Sequence, residues 1–382
     1  MKPVYLDHAA TAPIHPAVID SMLSVMQEDF GNPSSIHHYG RKTRHLIDEA
    51  RNVAAKSIGA KENEIIFTSG GTEADNLAII GVARANRHRG NHIITTSIEH
   101  HAVLHACEQL EKEGYQITYL PVNDRGVVDV QDVKNAMTDQ TILVTIMYGN
   151  NEVGSIQPVR ELGSLLKNHQ AYFHTDAVQA FGLCSIDVVE LGVDFLSVSA
   201  HKINGPKGIG FLYARFGTNF SPLSFGGEQE RKRRAGTENV AGIVGLKTAI
   251  ERSVEEMPFK TKQYNMFKQL IMSIWLEEKV NFEINGSLDD TLPHVMNVYF
   301  PGTNVESLLV NLDLAGIAVS SGSACTAGSI DPSHVLVAMF GKDSKRIASS
   351  IRFSFGLGNK EEDITFAAKE TAKVVKRLTK NK

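Results

Sequence analysis

A chain of 382 residues that sets 39 Lys and Arg against 43 Asp and Glu has a formal net charge of −4, which leaves no global basic field to hold nucleic acid or an anionic membrane. No apolar run approaches the ~20 residues of a membrane-spanning helix, and the opening MKPVYLDHAATAP lacks the basic start and apolar core of a secretory leader. The three cysteines, Cys107, Cys184 and Cys325, are widely spaced, so a reducing cytoplasm is expected rather than a disulfide framework.

The length suits roughly two domains. Pro16 fits the first position of a helix carrying Val18, Met22, Val25 and Met26 inward, which Gly31-Asn32-Pro33 would stop. A second amphipathic stretch covers residues 41–58 and closes at Gly59. Strands are predicted at residues 64–68, 92–96, 116–120, 141–147, 172–176, 195–199 and 208–213, most of them separated by helical patterns. This alternation predicts an α/β architecture with a largely parallel sheet. From about residue 255 the rhythm changes to a long polar helical stretch over residues 260–279 with sparser strands after it, so a domain boundary is expected there. Residues 320–329, SSGSACTAGS, are almost all small side chains around one thiol.

Asp176 ends a predicted strand, where ligand sites gather in open α/β sheets, and an acid held against a pyridine nitrogen keeps that nitrogen protonated. Gln179 shares its face if a helical turn follows, so its amide could donate to a phenolic ring oxygen. Ser199, His201 and Lys202 follow another strand and precede a Gly-Pro-Lys-Gly turn: Lys202 suits an imine with an aldehyde, and Ser199 and His201 suit a phosphate. Together these groups fit pyridoxal 5'-phosphate. Taken singly, a strand-end Asp more often caps the next segment and a lysine is more often solvated. The turn Ser69-Gly70-Gly71-Thr72 before a helix offers free N–H groups and the Thr72 hydroxyl to an anion. His100 stands at another strand-to-helix junction, where an imidazole could stack on a ring and handle protons. His101 and His105 have the spacing of metal ligands, but no third ligand is evident and no metal is expected. Cys107 and Cys184 read as packing residues. Cys325, in a segment with almost no apolar side chain to bury it and with Gly322 and Gly328 on either side, reads as a reactive thiol on a loop.

These segments also carry a resemblance. YLDHAAT (5–11), FGNPSS (30–35), FTSGGTEADNLAI (67–79), EHHAVL (99–104), NNEVG (150–154), the DAVQ and SAHK segments, RAGTENV (234–240), SSGSACTAG (320–328) and SIRFSFG (350–356) are similar to those of the cysteine desulfurases. These are pyridoxal-phosphate enzymes of fold type I in the class-V aminotransferase family, and the chain resembles the group with a long cysteine loop that serves iron–sulfur assembly and nitrogen fixation. The resemblance implies a large domain over 13–255, with a mostly parallel seven-stranded sheet flanked by helices. It also implies a smaller α+β domain of residues 1–12 and 256–382, carrying the cysteine loop at about 320–332. It assigns Lys202 to the imine, Asp176 to the pyridine nitrogen and Gln179 to the ring oxygen. Gly71, Thr72, Ser199 and His201 become phosphate contacts, joined by Thr237 from the second subunit of a homodimer. His100 stacks on the ring, Asn151 and Arg352 hold the substrate carboxylate, and Cys325, Lys202 and His100 are catalytic. Arg352 suits its role because a guanidinium grips a carboxylate through two hydrogen bonds, its ordinary alternative being a surface ion pair.

The implied reaction takes sulfur from L-cysteine, gives L-alanine and leaves a persulfide on Cys325 for a protein acceptor. An iron–sulfur scaffold, a tRNA-thiolation enzyme or a thio-cofactor carrier would each fit. A selenocysteine lyase or a fold-type I aminotransferase is the alternative activity; a non-catalytic scaffold is disfavoured by the intact Lys202, Asp176 and Cys325. Two departures from the family pattern stand out: Tyr148-Gly149 where many members have His-Val, and His8 for a frequent Asn or Tyr. The basic run Arg231, Lys232, Arg233 and Arg234 reads as a solvated loop, or as a neutraliser of the phosphate region or a contact for an acidic partner; direct nucleic-acid binding is not expected.

Overall fold

The computed structural model describes residues 3–322 and 332–380, together with the backbone of Cys325–Thr326 and Ser329–Ile330, which pair antiparallel. The side chain of Cys325 and the residue Gly328 lie outside the described residues. A seven-stranded sheet orders its strands as Ile65–Thr68, Gly210–Ala214, Phe195–Ser199, Tyr172–Asp176, Thr141–Thr145, His92–Thr96 and Gln116–Leu120. The last five pair in parallel, and Gly210–Ala214 runs antiparallel to both of its neighbours. Every residue of Ile65–Thr68, His92–Thr96, Thr141–Thr145, Phe195–Ser199 and Gly210–Ala214 is buried, as expected where helices cover both faces of a largely parallel sheet.

The helix Pro16–Glu28 begins at the predicted proline. Val18 and Val25 are buried, but Met26 is 62% exposed, contrary to its expected inward placement. At 3.6 residues per turn Met26 sits roughly 80° round the helix from Val18, beyond the stripe that packs on the helix Val240–Glu277. His38–Lys56 replaces the expected 41–58.

That long helix, Val240–Glu277, is continuous over 38 residues, and the expected boundary near residue 255 falls inside it. Its first part places Ile243, Leu246, Ala249 and Ile250 in the apolar core beside the large sheet. Its second part places Tyr264, Phe267, Ile271 and Trp275 in another core with Phe300, Phe353 and Phe355. Gly242, Gly245 and Pro258 weaken the helix signal in the sequence, which hid the first half. A Cβ on Gly245 would lie 2.7 Å from Met22 Sδ, so the methionine side chain would have to shift to admit one.

The second core covers an antiparallel sheet of Glu283–Asn285, Val295–Tyr299 and Ser350–Ser354. Near the start of the chain, Val4–Tyr5 pairs in parallel with Ile317–Ala318, which brings residues 7–12 past the ends of the large-sheet strands. Among the described residues no helix is long and apolar enough to cross a membrane.

Candidate active site

A cavity of about 380 Å³ opens where the large sheet meets the three-stranded sheet, and its wall includes Gly71, Thr72, His100, Asn151, Asp176, Gln179, Ser199, His201, Lys202 and Arg352. The structure therefore brings together ten of the sequence-predicted site residues. Thr237 is exposed and is not among the lining residues.

Asp176 is the last residue of its strand, and the chain then turns at once, Phe181 N–H donating to Ala177 O. The turn puts Gln179 beside Asp176 in the cavity wall. Asp176 accepts from Val178 N–H at 2.9 Å. Burial pushes its carboxyl up to about 6, the hydrogen bond from Val178 and the nearby Lys202 acting the other way. Such an acid is suited to a cationic N–H partner, which would restore its ionised form. Gln179 donates from Nε2 to Ala9 O at 3.0 Å.

Ser199 ends the neighbouring strand, and a short 3-10 turn, Ala200–Lys202, swings His201 and Lys202 into the cavity. Lys202 Nζ donates to Ala9 O at 2.5 Å and to Ala10 O at 2.8 Å. Burial, reinforced by the Arg352 cation, lowers the Lys202 pKa to about 8, with Asp176 and Asp7 opposing. A lysine poised there loses its proton readily enough to act as a nucleophile or base. His201 Nδ1 lies 3.2 Å from Thr11 Oγ1.

The helix Gly71–Ala85 starts without a side-chain cap, so its first N–H groups stay available to an anion. A Cβ on Gly71 would come 2.8 Å from Val178 Cγ2, and glycine therefore lets this helix start close on the turn after Asp176. His100 caps the helix His101–Lys112 by accepting from Ala102 N–H at 3.1 Å. Its ring faces the open cavity yet has protein around most of it; that desolvation, with Lys202 and the imidazoles of His101, His334 and His105 nearby, lowers its pKa to about 4. It is neutral near pH 7.

Arg352, on the strand Ser350–Ser354, is 3% exposed. Its guanidinium donates to Asp7 Oδ1 at 2.8 Å and to the backbone oxygen of Asn151 at 2.9 Å, while Nε has no partner. The role of Asn151 seen here is thus a carbonyl that orients the arginine.

Several residues in or just behind the wall were not singled out from sequence. Asp7 and the Ala9 and Ala10 carbonyls come from the YLDHAAT segment, whose match to the family was the available signal. Glu152 is buried and accepts from the Ser333 hydroxyl at 2.5 Å. His334 places its ring 4.8 Å from that of His101, which lies 5.0 Å from that of His105. Of the packing cysteines, Cys107 is fully buried and its thiol is pushed up by that burial, while Cys184 is half-buried.

An acid at a strand end, an adjacent partly neutralised lysine, a capless helix start with hydroxyls beside it and a buried arginine form a donor set that suits pyridoxal phosphate and an amino-acid carboxylate. Residues 4–366 match the family model described as Aminotransferase class-V, and the chain belongs to that family. It is 62% identical to IscS 1 of Bacillus subtilis (strain 168), over 99% of this chain and 100% of that protein. It is 48% identical to the cysteine desulfurase IscS of Clostridium botulinum (strain Hall), over 98% and 95% of the two chains. A solved NifS-like protein superposes with a TM-score of 0.92 at 36% identity, covering 98% of this chain and 100% of its own. Within its family the chain is a pyridoxal-phosphate-dependent cysteine desulfurase.

Proposed function

We propose that the cavity removes sulfur from L-cysteine and leaves L-alanine, with Cys325 as the receiving thiol. The observation that carries this reading is the convergence of Lys202, Asp176, His100 and Arg352 on one cavity. A solved structure at 36% identity and a TM-score of 0.81, covering 92% of this chain and 98% of its own, is described as SspA in complex with cysteine.

Arg352, held in orientation by Asp7 and the Asn151 carbonyl, binds the substrate carboxylate; Asn151 adds its side chain to the same group. Gly71, Thr72, Ser199 and His201 hold the cofactor phosphate, Asp176 the pyridine nitrogen and Gln179 the ring oxygen. Pyridoxal phosphate supplies an electron sink that makes the substrate Cα proton acidic. Lys202, partly neutralised by burial, anchors the cofactor and moves that proton. His100, neutral at pH 7, stacks on the ring and faces the substrate thiol whose proton it handles. The Cys325 thiolate then attacks the substrate sulfur, a sulfur–sulfur bond replaces the carbon–sulfur bond, and the carbon keeps the electron pair and is protonated to become L-alanine.

The persulfide on Cys325 passes to a protein acceptor, an iron–sulfur scaffold or a tRNA-thiolation enzyme, in the cytoplasm. The enzyme works as a homodimer in which Thr237 of one subunit completes the phosphate site of the other. Exposed Phe30 and Ile36, at 75% and 91%, with Ile19, Leu23 and Met26 on the first helix, support a covered face. Residues 13–255 form the large domain, and residues 1–12 and 256–382 the small one.

Purified protein given L-cysteine is expected to form alanine, and Cys325→Ser to retain the cofactor's visible absorption while losing persulfide formation. Alanine and sulfide released by the variant at the wild-type rate would remove Cys325 from the mechanism.

A further inference from the structure

Behind Gln179 stands a histidine to which no role has been given. His294 is contributed by the segment just before the strand Val295–Tyr299, on the side of the second core, and its residue is 6% exposed. Its Nε2 lies 3.1 Å from Gln179 Oε1. Its Nδ1 is buried without a partner, so the single proton of the neutral ring belongs on Nε2, where an acceptor is present. The charged or titratable groups around it are Lys268, His8, Arg352 and Lys202, all basic, and with burial they hold the imidazole neutral.

The Gln179 carboxamide is thus fixed from both ends. Its oxygen accepts from His294, and one of its two Nε2 protons goes to Ala9 O, which also accepts from Lys202 Nζ. Reversing the amide would set its oxygen against the Ala9 carbonyl and would force the His294 proton onto Nδ1, which is buried without an acceptor. The remaining Nε2 proton is left for a group in the cavity, whose wall Gln179 helps to form. His294 is itself held from behind: Lys268, on the long helix, donates to Leu292 O at 2.8 Å and to Thr291 Oγ1 at 3.1 Å, pinning the segment that leads into it.

We propose that His294 is a positioning residue that locks the Gln179 amide with one N–H aimed at the ring oxygen of the bound cofactor, an inference that rests on the assignment of Gln179 to that oxygen. An N–H donated there stabilises the oxygen's negative charge, and without it the oxygen is more basic.

The test uses the pyridoxal-phosphate-loaded protein and follows its visible absorption as pH is varied. His294→Phe, which keeps an aromatic ring but removes the donor, is expected to raise the midpoint by about one pH unit, about tenfold in the equilibrium, the scale of one hydrogen bond. Gln179→Ala should shift it comparably, and the double variant no further than Gln179→Ala alone. His294→Gln, whose side chain again offers an N–H, should move the midpoint back toward wild type. A wild-type midpoint in His294→Phe beside a shifted one in Gln179→Ala overturns the role of His294 and leaves that of Gln179 standing. An unshifted Gln179→Ala overturns the assignment of Gln179 and the inference with it. Should His294→Phe fail to fold, His294→Asn, too short to reach Gln179, gives the same decision: a wild-type midpoint refutes the proposal.

Discussion

One wall of the cavity takes Asp176, Ser199, His201 and Lys202 from the ends of two neighbouring strands of the large sheet. The facing wall presents the Asn151 carbonyl and Arg352, backed by Asp7 behind Arg352 and His294 behind Gln179, with Asp7 and Arg352 separated by 345 positions yet joined by an ion pair. On the first wall, short turns after buried strands set where the groups leave the backbone, although the Lys202 and His201 side chains also meet Ala9, Ala10 and Thr11. On the second, each group owes its orientation to a partner from elsewhere in the chain. The sheet-end wall should therefore carry chemistry that fails outright when one group is changed, and the facing wall should tune binding and orientation.

Asp176→Asn tests the first half of that contrast. It removes the charge that would stabilise a protonated pyridine nitrogen while keeping the side-chain shape, and kcat/KM for L-cysteine is expected to fall about a hundredfold or more with the fold retained. A loss below tenfold would show that the strand-end acid does not carry the electrostatics assigned to it. Asp7→Asn tests the second half. Arg352 keeps the Asn151 carbonyl but loses its ionic partner, so KM for L-cysteine should rise about tenfold with kcat little changed. A drop in kcat at constant KM would move Asp7 to the catalytic wall.

The smallest effect on turnover is expected from Lys268→Met, whose signature is in stability. Burial lowers the Lys268 pKa from 10.5 to about 8, so between pH 8 and 10.5 the folded chain holds fewer protons than the unfolded chain and the wild type gains stability as pH rises. Below pH 8 both states are protonated and the burial cost is constant. The stability of wild type relative to Lys268→Met, from denaturant melts, should improve by about 2–3 kcal/mol across that window. A flat difference would mean that Lys268 keeps its ordinary pKa in the folded chain.

The same contrast decides what could be read from the sequence. Four predicted strands, residues 92–96, 116–120, 172–176 and 195–199, coincide with the observed ones; three are buried runs with sharp breaks, while 116–120 is a half-exposed edge strand marked by its β-branched and aromatic residues. Asp176, Gln179, Ser199 and Lys202 were legible because each lies within a few residues of a strand end. Asp7, Glu152, His294 and His334 were not: their partners lie far along the chain, and neither periodicity nor spacing records a contact of that kind. The helix Val240–Glu277 was half-hidden by Gly242, Gly245 and Pro258, although Gly242 sits under the Asn239 cap and Gly245 against Met22 rather than at a break. Met26 was misplaced by counting its period too generously.

That helix also has a mechanical side. At 1.5 Å per residue, 38 residues make a strut about 57 Å long, with its first half sunk into one apolar core and its second into the other. A chain severed near residue 255 would leave two stumps, each stripped of the neighbour that continues its backbone hydrogen bonding. Lys268 stands on the strut, one contact away from the segment leading to His294, so the helix that enters the large-sheet core also anchors the chain behind Gln179.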